Sequence, residues 1–84
     1  MSSYRGISKS DALARLTGNV REQLAREGLG GVFFEAHDVD PVGGVLAVRL
    51  TVEIPDSLPP NQWLRAQQIS GEECAKFLRE RYSA

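Results

Sequence analysis

The sequence predicts a small α+β domain in which an antiparallel β-hairpin carries helices packed on one of its faces. Three observations lead there. Leu13, Leu16, Val20 and Leu24 recur at spacings of three, four and four, which is the apolar stripe of an amphipathic helix. Residues 45–54 alternate strictly, with Leu46, Val48, Leu50, Val52 and Ile54 on one face and Val45, Ala47, Arg49, Thr51 and Glu53 on the other. Between that run and the β-forming residues 32–39 stands Asp40-Pro41-Val42-Gly43-Gly44, where proline presets φ and the glycines accept positive φ.

Each element follows from local chemistry. Residues 1–8 are polar and small apart from Tyr4 and Ile7, which predicts a loose arm. Ser8 or Ser10 can cap the first helix, Asp11 complements its positive end, and Gly28 supplies the stop before Leu29-Gly30-Gly31. In the hairpin, the most apolar register sets Val32, Phe34 and Ala36 beside the leucine–valine row. Pro55 ends the second strand, and residues 55–60 read as an extended, proline-rich linker inside the domain.

The last third reads as two helices. Residues 61–68 form a short one carrying Trp63 and Leu64. Ser70-Gly71-Glu72-Glu73 then fits a capping box, with Ile69 and Cys74 as its hydrophobic staple, so a break is expected near Ser70. The final helix runs to about Tyr82 with Cys74, Phe77, Leu78 and Tyr82 on one face. The resulting order is helix, strand, strand, helix, helix.

With 84 residues, 42% apolar and 25% charged, the chain has the composition of one folded domain with a modest core. A net charge of -1 provides little general attraction to phosphate, and the middle of the chain, residues 35–56, is acidic. The single Cys74 makes no internal disulfide, which fits a reducing, cytoplasmic setting. The opening MSSYRGISKSDALARL has no apolar core behind a basic segment, and no run approaches ~18 apolar residues. Neither a signal peptide nor a membrane span is expected. Arginine outnumbers lysine eight to two, which suggests a bacterial or phage origin on composition alone.

Glu35, His37, Asp38 and Asp40 crowd six positions, as a metal or acid–base site would. Strand alternation divides them, Glu35 and His37 on one face and Asp38 and Asp40 on the other, and Arg49 is expected to pair with Glu35. No metal site and no cofactor are therefore expected. Cys74 reads as a packed helix residue rather than a nucleophile, and His37 is the only histidine available for proton transfer. Gly28-Leu29-Gly30-Gly31 runs from a helix into a strand, the reverse of a phosphate loop. Glu72 and Glu73 at the start of the last helix, with Arg79 and Arg81 at its end, complement the helix dipole.

A two-stranded hairpin with helices on one face leaves Phe33, Val39, Val45 and Ala47 on the other. Their expected cover is a third strand from the N-terminal arm, or the hairpin of a second copy joined edge to edge or face to face, which would extend the sheet to four strands. The expectation is a non-catalytic protein-interaction or regulatory module of the inhibitor or adaptor type, homodimeric and bound to a protein partner. The candidate contact residues are Phe33, His37, Val39, Val45, Arg49 and Trp63. The second reading is a nucleic-acid-binding regulator using Arg15, Arg21 and Arg26 of the first helix and the C-terminal arginines.

Overall fold

The computed structural model describes residues 4–39 and 48–80. Within them α1 (Lys9–Arg26), β1 (Phe33–Asp38), β2 (Val48–Glu53) and α2 (Pro60–Glu80) form a small α+β unit with a two-stranded antiparallel sheet. The glycine-containing turn and Val45 to Ala47 lie outside the described residues, as does Tyr82.

The first helix forms as its sequence dictates. The Ser8 side chain accepts from the Asp11 N–H at 3.2 Å, and Asp11 occupies the first turn. At the other end Gly28 adopts φ 74°, the Leu29 N–H donates to the Leu24 carbonyl at 2.7 Å, and the Gly28 N–H donates to Ala25 at 3.2 Å. This is the Schellman pattern, and both leucines enter the core as the motif favours. Leu13, Leu16, Val20 and Leu24 are buried along one stripe.

The hairpin adopts the most apolar register. Phe34 faces Val52, Ala36 faces Leu50 and Asp38 faces Val48. Phe34 is fully buried under α1, which packs against both β1 and α2. In contrast α2 rests on α1 and has little contact with either strand.

Four expectations are corrected. There is one helix after the hairpin and no break at Ser70: the Ser70 hydroxyl donates back to the Ala66 carbonyl at 2.9 Å, as a serine inside a helix can. Proline at the first helical position costs nothing, so the start moves to Pro60, with Gln62 and Trp63 N–H groups donating to the Pro59 carbonyl. The linker before it is a turn closed by Leu58 N–H to Pro55 carbonyl at 3.1 Å, and Leu58 packs on the core. Leu78 is 57% exposed instead of sharing the buried face of Phe77.

The fourth correction concerns both ends of the chain at once. Tyr4 is fully buried instead of lying in a loose arm, and its ring meets Phe77 edge-on at 5.2 Å. Its hydroxyl donates to Glu73 Oε1 at 2.8 Å, Asn19 Nδ2 donates to the Tyr4 oxygen at 3.1 Å, and Gln23 Nε2 donates to Glu73 Oε2 at 2.8 Å. Glu73 is therefore a buried carboxylate held by α1 and the N-terminal segment, not a solvent-facing complement to a helix end. Burial, followed by the neighbouring Glu73, holds the Tyr4 phenol far above its usual range. A surface bridge ties the helices as well: Arg65 grips Glu27 through Nε to Oε1 at 2.6 Å and Nη2 to Oε2 at 2.7 Å.

Two substitutions test this architecture. A Cβ at Gly71 meets nothing within 4 Å, so Gly71→Ala raises stability by about 0.5–1 kcal/mol through helix propensity alone. A break at this point would instead make the alanine neutral or destabilising in urea unfolding. Tyr4→Phe keeps the ring contact with Phe77 but removes a hydroxyl from the Glu73 cluster, and should cost roughly 1–3 kcal/mol in the same measurement.

Candidate functional site

The crowded acidic stretch disperses as alternation requires. His37 Nδ1 lies 3.5 Å from Glu35 Oε1 on the face away from the helices, and both side chains are about two-fifths exposed. Asp38 points to the other side and pairs with Lys9, whose Nζ also donates to the Val39 carbonyl at 3.1 Å. Among the described residues, no three His, Cys, Asp or Glu side chains converge as a metal would need.

The expected Glu35–Arg49 pair does not form. Glu35 faces Thr51 across the ladder, and the cation near it is Arg21 of α1 at 3.9 Å. Arg21 reaches round the outer edge of β1, where its Nε donates to the Phe34 carbonyl at 2.9 Å and its guanidinium sits 5.3 Å over the Phe33 ring. Arg49 is exposed and stands opposite His37.

Cys74 is partly buried against the core on α2. Burial, followed by the charge of Glu73, pushes its thiol upward, so the protonated form dominates and the nucleophilic thiolate is suppressed.

The six contact residues expected from sequence divide between two sides of the molecule. Phe33, His37 and Arg49 share the outer sheet face, where Phe33 is 39% exposed beneath Arg21. Val39 is half-buried, with its carbonyl held by Lys9. Val45 lies outside the described residues. Trp63 is on α2 near the opposite face and is 42% exposed, where a core anchor would be covered.

The structure assembles a different apolar surface around Trp63. Because α1 covers β1 and α2 rests on α1, the helix-side face of β2 is left open: Leu50 is 46% and Val52 41% exposed. Between that strand and α2 lies a cleft of about 550 Å³ lined by Val52, Ile54, Trp63, Gln67 and Ser70. Leu50, Val52 and Ile54 were legible as a row in the alternation. Their exposure was not, since it depends on one helix covering one strand.

Among the described residues, the lining of this cleft has no ionisable side chain. Gln67 and Ser70 are the polar members of the cleft, and Ser70 is already committed to the Ala66 carbonyl. The arrangement is suited to binding an apolar surface edged by amide chemistry. Given its burial, Cys74 should react with iodoacetamide several-fold more slowly in the folded chain than in urea at the same pH. Equal rates in the two states would contradict the packed position.

No protein-family model, curated protein or solved structure matches the chain.

Proposed function

We propose that this chain is a small non-catalytic protein-interaction module whose recognition surface is the open side of β2 together with the Trp63 cleft. One observation carries the reading. Leu50, Val52 and Trp63 are each more than two-fifths exposed, and Val52 and Trp63 line one cleft, in a chain whose buried carboxylate is by contrast supplied with three hydrogen-bond donors. Contiguous exposed apolar side chains mark interaction surfaces, and tryptophan is among the residues that most often anchor a protein partner. The packed position of Cys74, whose burial raises the thiol and suppresses its thiolate, supports binding over thiol chemistry. The single cysteine suits a reducing compartment, and no described helix is long and apolar enough to cross a membrane.

Nucleic-acid binding draws less support. Arg21 is occupied with the Phe34 carbonyl and the Phe33 ring, Arg26 pairs with Glu22, and Arg65 is gripped by Glu27. These cations are neutralised or engaged within the chain, where a phosphate-binding face presents them free.

A photoreactive phenylalanine analogue placed at position 63, expressed in cells of the source organism, should yield a discrete protein adduct. The same analogue at Arg26 should not. Adducts that vanish on nuclease treatment would replace this reading with the nucleic-acid one, and equal labelling at the two positions would remove the cleft as the binding surface.

A further inference from the structure

The two edges of the hairpin are treated differently. Along the outer edge of β1 the Ala36 N–H donates to Thr17 Oγ1 at 3.1 Å and the Phe34 carbonyl accepts from Arg21, so α1 seals it. Those bonds also fix the parity of the ladder. Phe34 and Ala36 turn their backbone groups away from β2, so they occupy non-hydrogen-bonded positions, and so do their partners Val52 and Leu50. Leu50 and Val52 must then direct their own N–H and C=O groups outward along the far edge of β2.

Nothing closes that far edge among the described residues. The sheet ends at β2, and among the described residues the outward N–H and C=O groups of Leu50 and Val52 meet no hydrogen-bond partner. Natural edge strands are usually blunted by proline, a bulge or an inward-pointing charge. Val48–Glu53 has none of these on its helix side, where its residues are valine, leucine and valine.

The strand is also complementary to itself. Arg49 and Glu53 lie on the same face, two residues either side of Thr51, and neither has an ion pair among the described residues. Antiparallel pairing of two copies about a two-fold axis at Thr51 sets Arg49 opposite Glu53 of the second copy, twice by symmetry. It also sets Leu50 opposite Val52 of the second copy, twice, and these are the hydrogen-bonded positions of the new ladder. Shifting the axis to Leu50 or Val52 loses both charge pairs. Centring it on Arg49 or Glu53 sets like charges against each other.

We infer that β2 pairs edge to edge with β2 of a second copy in this register, making one four-stranded antiparallel sheet with β1 at each outside edge. The occupant of the open edge is thus this chain itself, argued from the charge and parity match of the Arg49–Glu53 segment. The inference rests on the reading of the β2 side as an interaction surface and specifies its first partner. The pairing uses the strand edge and leaves the Trp63 cleft for a different protein.

Sedimentation equilibrium from micromolar to millimolar protein, combined with charge reversal, tests it. The unaltered chain should reach a dimer mass. Arg49→Glu alone and Glu53→Arg alone should each weaken association by roughly ten- to a hundredfold, because two favourable cross-strand pairs become two repulsive ones, and the double reversal should restore it. Both side chains are exposed, so circular dichroism should show all three variants folded. A second readout does not depend on the variants. The Leu50 and Val52 amides should resist hydrogen exchange at dimer concentrations and lose that protection on dilution. A monomer mass at every concentration overturns the inference, as does a dimer indifferent to the single reversals or one with unprotected Leu50 and Val52 amides. A chain that stays monomeric while still forming the protein adduct at position 63 would lose this pairing and keep the interaction-module reading.

Discussion

Everything in this molecule leans on α1, because it is the element that packs against both the sheet and the second helix. Its buried stripe of Leu13, Leu16, Val20 and Leu24 receives Phe34 from β1 and Phe77 from α2, so the core is centred on one cylinder rather than spread between two layers. A helix is about 10 Å across with its side chains and strands lie about 4.8 Å apart, so covering two strands requires the helix to straddle them. Here α1 is committed to β1 by edge bonds from Thr17 and Arg21 and an ion pair from Lys9. That commitment protects one edge of the sheet and exposes the other.

The same centrality explains the polar cluster. Glu73 faces α1, where Asn19 and Gln23 provide donors on successive turns, and the Tyr4 hydroxyl completes the set from the N-terminal segment. A buried carboxylate without donors costs several kcal/mol, whereas one held this way is tolerated and makes the packing angle of α2 specific. Moving α2 by a turn would strand the charge. The exposed Arg65–Glu27 bridge fixes the same two helices at the end of α1 and depresses the Glu27 carboxyl below its ordinary range, through the hydrogen bond from Arg65 first.

Much of the fold was legible in the sequence because it rests on local signals. The Ser8 cap, the Gly28 stop, the leucine stripe and the hairpin register each depend on residues within a few positions or on a strict period. The capping-box reading of Ser70-Gly71-Glu72-Glu73 failed because its decisive partners are remote. Glu73 reaches Tyr4, Asn19 and Gln23 in preference to the Ser70 backbone, and burial of Ile69 and Phe77 carries the helix straight through Gly71. Tyr4 was read as part of an arm for the same reason, since nothing near it in sequence announces the pocket that holds it. The candidate surface was half legible: alternation named Leu50 and Val52 and composition drew attention to Trp63, but no periodicity could say which strand the first helix would cover.

The Tyr4–Glu73 hydrogen bond joins residues 69 positions apart, and its length in sequence has a consequence for how the chain is born. Nothing can complete the core until α2 has been made, since Ala66, Ile69 and Phe77 are its last wall. At ~5–20 residues per second, the stretch between Phe34 and Phe77 takes roughly 2–9 s to synthesise, far longer than a helix or a hairpin needs to form. For those seconds the leucine stripe of α1 and the ring of Phe34 face solvent or a chaperone, alongside a β2 edge that no described residue of the same chain covers. The nascent chain, more than the folded one, is therefore the form most exposed to aggregation.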